Sequence, residues 1–319
     1  MRRIGSPSGR VEGREPGGSW VAPGLVVVVL TWAATWPLSQ VALQSWPPLL
    51  LTGSRCLLSG VLLTVLTVAR GLRPWGRHVA RVAVFSGSLN VVGALVASTF
   101  AVHFLSGGLA SLLFYLQPLF LVLLARHFHG EAVRASHWVA ICVGFAGVAV
   151  VTLGAASQHV SLLGIAIGAG GGLSWAAGVV YLRSQDLKDA GHGQIISLVI
   201  GPQFLAGGAV ILVAGCLLER WPAHGLEGVG LASMGGLTVA SATGWLIYLV
   251  LLERGISMKR LGTWSFGIPL LANIAGFAFL HQHASAMLLA GGGIVMASII
   301  AVELLEPARR RSHPPPSPG

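Results

Sequence analysis

Ten polar and aromatic side chains lie deep inside long apolar runs of this 319-residue chain. Their types suit reversible binding of a small molecule, because Trp and Tyr rings stack on apolar or cationic groups and Asn and Gln amides exchange hydrogen bonds. An arginine adds the geometry needed to pair with a carboxylate. The candidate substrate-binding residues are Trp32, Trp36, Arg55, Asn90, Tyr115, Gln117, Trp175, Trp245, Tyr248 and Asn273.

Arg55 is the charged residue placed farthest inside an apolar run. A charge at such a position costs about 2.5 to 3.5 kcal/mol on insertion scales unless water or a partner compensates it. One interpretation is that the guanidinium attracts an anionic group of a substrate. The other is that it snorkels outward or caps the carbonyls of a neighbouring helix. Both remain open.

The amide and aromatic candidates also have structural alternatives. Asn90 and Asn273 each carry donors and an acceptor that lipid cannot satisfy, so each is expected to face another helix or a wet cavity. Trp and Tyr rings often gather at membrane interfaces instead of in cavities. Of the tryptophans, Trp32, Trp36 and Trp175 are expected to lie deepest.

Residues for covalent chemistry are sparse. An intramembrane enzyme needs an embedded nucleophile with a base, or clustered acidic ligands for a metal-bound substrate. Asp186 and Asp189 are instead a lone acidic pair in a charged loop, and the three cysteines lie in unrelated apolar runs without metal-ligand spacing. The sequence predicts no catalytic site and no cofactor.

Two pairs of histidines invite a metal-site interpretation. His127 and His129 flank one residue near the end of one run, and His281 and His283 do the same between two later runs. Paired imidazoles bind transition metals, but these pairs lack carboxylate or cysteine neighbours that would complete a site. The sequence therefore predicts no metal.

Ten apolar runs must position the candidate residues. A span needs about 20 mostly apolar residues to cross roughly 30 Å of hydrocarbon. The composition agrees, since 54% of residues are hydrophobic and 9% are charged. The predicted fold class is an all-α polytopic membrane protein with ten transmembrane helices, at residues 21–43, 48–69, 79–102, 105–125, 135–154, 161–182, 193–218, 228–252, 261–280 and 284–303.

The basic residues predict the orientation of the chain. Eighteen of the 20 Lys and Arg residues fall in alternate gaps between the runs, and Arg55 and Arg220 are the exceptions. Because basic residues near span ends are held in the cytoplasm, both termini are expected there, in a bacterial-type plasma (inner) membrane. The net charge of +10 then faces anionic lipid headgroups and not nucleic acid.

The chain also contains an internal repeat. Residues 30–34 (LTWAA) and 173–177 (LSWAA) are 143 residues apart, and Gln117-Pro118 is echoed 151 residues later by Ile268-Pro269. Since each half has five spans, an odd number, the second copy enters the membrane from the opposite face. The predicted division is a disordered cytoplasmic tail (1–20), two inverted five-helix repeats (21–155 and 161–304) and a second disordered cytoplasmic tail (305–319).

The first half resembles the EamA-type transporters of the drug/metabolite transporter superfamily. The similarity lies in residues 101–110 (AVHFLSGGLA), Gln117-Pro118, Gly130-Glu131, Gly144, Gly147, the segment from Pro47 to Arg55, and Trp175. The second half departs from the pattern, because Ile268 and His281-Gln282 stand where the family often has glutamates. The resemblance implies ten-span carriers with two repeats, and it leaves ion coupling open.

These observations favour a secondary transporter that exports small amino-acid-like metabolites or drugs by alternating access. The alternative is a lipid or polyprenyl-carrier translocase of the same superfamily, and an intramembrane enzyme is a weaker third reading. The expected partners are a small-molecule substrate and the lipid bilayer. A coupling proton or exchange substrate, and a second copy of the chain as a homodimer, are left open.

Overall fold

The computed structural model describes residues 20–72, 76–129, 135–156, 161–185, 192–222, 227–254, 256, 264–265, 267–280 and 286–305, and all regular structure within them is helical. The elements are α1 (Val21–Ala42), α2 (Pro48–Ala69), α3 (Arg77–Gly87), a π-helical segment (Ser88–Leu95), α4 (Val96–Phe104), α5 (Gly107–Phe114), α6 (Gln117–His129), α7 (Ala135–Ala156), α8 (Leu162–Ser184), α9 (His192–Leu218), α10 (Gly228–Glu253), α11 (Gly267–Leu280) and α12 (Ala286–Leu305).

The helices confirm an all-α, multi-span membrane protein with ten spans. Seven stretches of the described chain are long and apolar enough to cross a membrane: Val21–Ala42, Pro48–Ala69, Arg77–Phe104, Gly107–Phe128, Leu162–Leu182, Leu198–Leu218 and Gly228–Leu251. The shorter apolar helices Trp138–Val150, Gly267–Leu280 and Leu289–Ala301 fall in the other three predicted runs. Most of the two predicted disordered tails, residues 1–19 and 306–319, lies outside the described residues.

The faces of α2 show which side of a helix meets lipid. Leu62 and Val65 are exposed, whereas Thr52, Arg55 and Ser59 are buried. This is the reverse of a soluble helix, because here apolar side chains face the surroundings and polar ones face other helices. The polar face of α2 therefore points into the bundle.

The third and fourth spans are interrupted near their middles. The third span changes from α3 to the π-helical segment and then to α4, and a turn at Tyr115 and Leu116 separates α5 from α6. Pro118 has no N–H for the carbonyl of Phe114, which removes a helical hydrogen bond at this turn. Hydropathy registers neither interruption because both segments remain apolar.

Contacts between spans follow the pattern expected of two similar halves. α1 packs on α10, and its counterpart α8 packs on the third span. α1 also contacts α11, and α8 correspondingly contacts the fourth span. The second and seventh spans (α2 with α9) and the fifth and tenth (α7 with α12) pair with their own counterparts. The division into repeats at 21–155 and 161–304 accords with these pairings and remains a prediction.

A glycine seam joins α2 to α9, and we define it as Gly53 and Gly60 of α2 with Gly201, Gly208 and Gly215 of α9. Within each helix these glycines are seven residues apart. A Cβ atom added at Gly53 would lie 2.5 Å from the backbone nitrogen of Leu212, and one added at Gly208 would lie 2.6 Å from that of Leu57. The two helices therefore meet at backbone contact, which larger residues would prevent.

Glu219 closes one end of this seam. Its Oε1 accepts a hydrogen bond from the backbone N–H of Leu49 at 2.9 Å, and its Oε2 accepts one from Leu50 at 2.9 Å. These N–H groups belong to the first turn of α2, where helical partners are missing and negative charge is favoured. A carboxylate from the seventh span thus caps the second span.

A candidate substrate site at the centre of the bundle

Four of the predicted aromatic residues form one cluster. Trp245 lies 5.2 Å from Trp32, 5.8 Å from Trp175 and 5.5 Å from Tyr248 between ring centroids. Trp32 also lies 5.3 Å from Tyr248, and Phe204 lies 6.0 Å from Trp245. These rings come from α1, α8, α9 and α10, so both halves of the chain build the cluster. We call these five residues the central aromatic cluster.

Trp32 and Trp175 occupy equivalent positions in the repeated LTWAA and LSWAA segments. Both are partly buried, although each packs against the two largest buried clusters of the molecule. Gly244 allows α10 to approach α1 here, because a Cβ atom at that position would collide with the indole of Trp32. The repeated segments thus place two partly buried tryptophans next to Trp245.

A second group of rings extends the cluster toward the fourth span. Phe114, the last residue of α5, lies 6.0 Å from Trp175, 5.6 Å from Trp36 and 6.0 Å from Tyr115 between centroids. Trp36 and Tyr115 are buried. Six of the ten predicted residues are therefore connected by ring contacts, with Phe114 as the link.

Arg55 is 6% exposed and lies on the inward face of α2. On the same face the Thr52 hydroxyl donates to Thr99 Oγ1 at 2.7 Å, and the Ser59 hydroxyl donates to the Thr238 carbonyl at 3.4 Å. The next residue, Cys56, packs in the same buried cluster as Trp245. This burial argues against the outward-snorkelling interpretation.

The electrostatic surroundings of Arg55 lack a countercharge. In the part of the chain that the structure describes, no carboxylate acts on its guanidinium. Glu219, the acidic residue that ends the adjacent seam, is engaged with the backbone of α2 instead. A buried guanidinium without a carboxylate is suited to an anionic group supplied from outside the protein.

Asn90 belongs to the contact between the π-helical segment and α8. It is 3% exposed and lies against Gly178, where a Cβ atom would overlap its amide. The Oδ1 atom is buried and has no hydrogen-bond partner within the described chain. One turn away, the Ser174 hydroxyl donates to the carbonyl of Leu89 at 2.8 Å, which satisfies a backbone group of the π-helical segment.

Gln117 starts α6, directly after the interruption of the fourth span. Its Oε1 atom is buried and, in the part of the chain that the structure describes, accepts no hydrogen bond. Gly172 of α8 packs here, since a Cβ atom at that position would lie 2.5 Å from the carbonyl oxygen of Phe114. The interruption is therefore enclosed by α8 and lies next to Trp175.

Asn273 lies in a different contact, between α11 and α5. Its Nδ2 donates to the carbonyl of Gly108 at 3.2 Å and to that of Pro269 at 2.8 Å. These bonds fit the helix-joining interpretation of this asparagine. Asn273 is not among the residues that the ring contacts bring together.

Sequence reasoning missed Phe114, Phe204 and Gln203. The two phenylalanines carry no polar group, so no pattern distinguished them from ordinary core residues. Gln203 is 1% exposed, and its Oε1 accepts a hydrogen bond from the Ser86 hydroxyl at 2.9 Å. Its position in an apolar run directly after Pro202 was the signal that would have identified it.

Metal-binding groups do not converge in the described ranges, where no three His, Cys, Asp or Glu side chains come together. The His281 and His283 pair lies outside those ranges, as does the side chain of His129. Of the cysteines, Cys56 is buried, whereas Cys142 and Cys216 are exposed.

Comparison with known proteins identifies the relatives of this chain. Residues 19–153 match the EamA-like transporter family. The uncharacterized transporter YvbV of Bacillus subtilis (strain 168) is 29% identical over 288 residues, which cover 90% of this chain and 92% of YvbV. The uncharacterized inner membrane transporter YedA of Escherichia coli (strain K12) is 26% identical over 294 residues, covering 88% and 89% of the two chains.

A more distant relative carries a substrate class in its name. The probable amino-acid metabolite efflux pump of Escherichia coli (strain K12) is 24% identical over 283 residues, covering 86% of this chain and 91% of the pump. A crystal structure superposes with a TM-score of 0.62 at 23% identity, covering 89% of this chain and 98% of the other, and supports the fold. The chain is a multi-pass membrane protein whose first half, residues 19–153, matches the EamA-like transporter family, and it is similar over most of its length to bacterial membrane transporters.

Proposed function

We propose that this transporter exports small amino-acid-like metabolites through a site at the central aromatic cluster. The observation that carries the proposal is the meeting of Trp32 and Trp175, one from each half, on the two sides of Trp245. A site built from both halves changes its exposure when the halves move against each other, which is the requirement for alternating access. The names of distant relatives as amino-acid efflux proteins support the substrate class.

The chemistry around the cluster suits a zwitterion with an apolar body. Indole and phenol rings supply contact area for the body. Arg55 is buried without a carboxylate partner in the described chain and matches a substrate carboxylate. The unpartnered oxygen of Gln117 matches a hydrogen-bond donor of the substrate.

The names of distant relatives as efflux proteins support export as the direction, and the basic residues predict the orientation of the chain. Both termini and the basic loops then face the cytoplasm, and Arg55 lies about two turns below the outer surface at 1.5 Å per residue. The four acidic residues of the described part, Glu219, Glu227, Glu253 and Glu303, lie at or near span ends. A coupling proton carried by a midplane carboxylate is therefore not part of the proposal.

The test is tolerance to a panel of amino acids, toxic analogues and cationic drugs in a bacterial host that lacks its own exporters. We expect selective tolerance to amino-acid analogues with the native chain, lost with Arg55→Ala and retained with Arg220→Ala at equal abundance in the membrane. Arg220 is an exposed arginine near the outer end of α9 and serves as the matched control. Unchanged tolerance across the panel would contradict the proposal and favour transport of lipid-linked substrates.

A further inference from the structure

We propose that the turn between α5 and α6 binds the protonated amine of the transported ligand. The inference rests on the proposed function, because it assigns one end of an amino-acid-like substrate to a place in the central site. Three features of the turn carry it: an excess of backbone acceptors, a buried side-chain acceptor, and aromatic faces at the same place.

The backbone of the turn has more acceptors than donors. Pro118 has no N–H, so the carbonyl of Phe114 loses the partner that a continuous helix would supply. The N–H of Leu116 donates to the carbonyl of Leu113 at 3.2 Å, one residue short of the helical acceptor at Leu112. Buried backbone groups need partners in a membrane, and here the missing partners are donors.

Gln117, which directly follows the turn, adds a side-chain acceptor to these backbone acceptors. Its Oε1 is buried and accepts no hydrogen bond within the described chain. A buried amide oxygen without a donor costs on the order of 1 to 3 kcal/mol, which a ligand N–H would recover. An ammonium group carries three donors and would satisfy several of these oxygens together.

Aromatic faces surround the turn and favour positive charge. The ring of Phe114 lies 5.6 Å from that of Trp36 and 6.0 Å from that of Trp175. Trp175 is three residues from Gly172, which packs on the Phe114 carbonyl, so the indole and the carbonyl lie on the same face of α8. Indole is the aromatic ring that attracts cations best.

Carbonyl oxygens and rings hold a cation without an opposing formal charge. Within the described spans no carboxylate lies at this depth, since Glu253 and Glu303 are near helix ends. A carrier needs an interaction strong enough to select its ligand and weak enough to release it. An acceptor-rich helix interruption lined by aromatic rings meets that need without an ion pair.

The experiment compares three ligands with the same aromatic body: phenylalanine, 2-phenylethylamine, which lacks the carboxylate, and 3-phenylpropanoate, which lacks the amine. Binding to the purified full chain is measured by quenching of tryptophan fluorescence. We expect the two amines to bind about tenfold more tightly than 3-phenylpropanoate, since a charge-assisted hydrogen bond is worth at least that factor.

Two variants test the residues. Gln117→Met removes the side-chain acceptor at similar size, and Pro118→Ala returns an N–H to the Phe114 carbonyl. Each is expected to weaken binding of both amines about tenfold and to leave 3-phenylpropanoate unchanged. Pro269→Ala, the equivalent proline of the second half, is the matched control and should not change the preference for amines.

Results that contradict the amine site can be distinguished from results that contradict the proposed function. Equal binding of all three ligands, or an equal loss for all three in Gln117→Met, overturns the amine site. If phenylalanine and 3-phenylpropanoate are also transported at equal rates, the central substrate site survives and only this inference fails. Absence of binding and transport for every ligand overturns the inference together with the proposed function.

Discussion

Trp245 is the residue on which the central rings converge, with Trp32 on one side and Trp175 on the other. Because those two tryptophans come from opposite halves of the sequence, a ligand bound at Trp245 would contact both halves at once. Tyr248 and Phe204 complete the surroundings of the indole. In the proposed site, we therefore expect substrate recognition to centre on Trp245 and its neighbours.

Replacement of Trp245 tests whether substrate recognition centres on this residue. We expect Trp245→Phe to retain part of the transport and Trp245→Ala to reduce it at least tenfold, because the first keeps an aromatic ring and the second removes the contact area. Initial rates of amino-acid uptake into inside-out membrane vesicles provide the measurement. Trp221→Ala, at an exposed tryptophan near the C-terminal end of α9, should have the native rate; equal rates for Trp245→Ala and Trp221→Ala would contradict the assignment.

The stability of an Arg55 variant distinguishes a role of the guanidinium in substrate binding from a role in the fold. If the guanidinium serves substrate and not the fold, Arg55→Met removes a costly buried charge and should raise the free energy of unfolding by about 2 kcal/mol. The same variant should lose transport of carboxylate-bearing substrates. Thermal unfolding of the purified protein is the readout, and a clear drop in stability would instead assign Arg55 to helix capping.

Single residues were predictable where their type conflicts with the membrane. Arg55, Asn90 and Gln117 stood out because charge and amides are costly in apolar runs, and the structure places all three inside the bundle. Phe114 did not stand out, although it links Trp36 to Trp175. Its role depends on a helix interruption that brings rings from separate spans together, which composition does not encode.

The interrupted third and fourth spans are the elements that distinguish this bundle from simple packed helices. The π-helical segment holds Asn90, the turn after α5 holds Tyr115, and α8 packs on both through glycines and Ser174. Irregular backbone at membrane depth is tolerated where it is enclosed by protein or lines a cavity. Its location beside the central aromatic cluster connects the two irregular elements to the candidate site.

The close contact of α2 and α9 at the glycine seam predicts how much an added methyl group destabilises the protein. Gly208→Ala should lower the free energy of unfolding by about 1 to 3 kcal/mol, because its Cβ would lie within 2.6 Å of the Leu57 backbone nitrogen and overpacking costs that much. Gly235→Ala is the control, since a Cβ atom there meets nothing within 4 Å. Denaturant unfolding in detergent measures both, and equal stability of the two variants would refute close contact at the seam.

The positions of the spans could be predicted from the sequence, whereas their interruptions could not. Runs of about 20 apolar residues located all ten spans, because hydrocarbon thickness fixes the length of a span. The turn at residues 115–116 was not located, since Tyr115 and Leu116 do not end the apolar run and a proline such as Pro118 also occurs in continuous kinked helices. The spacing of the seam glycines was visible in the sequence, but their partners were not.

At the scale of the whole molecule, the largest contacts between spans follow the pattern expected of two similar five-span halves. α1 with α10 corresponds to α8 with the third span, and α2 and α7 pair with their own counterparts. Such an arrangement permits two conformations related by exchange of the halves. The inverted relation of the halves follows from an odd number of spans per repeat and stays a prediction, whereas the meeting of Trp32 and Trp175 on Trp245 is visible only in the packing.

The central claim is a water-accessible site between the halves, and thiol labelling tests it most directly. In a chain whose three cysteines are replaced by alanine, Trp32→Cys and Trp175→Cys should react with a membrane-impermeant thiol reagent in open membranes, and substrate should slow the reaction. Val213→Cys, exposed on α9 toward the surrounding lipid, should stay unreactive. Labelling of the central positions as slow as that of position 213 would contradict the account.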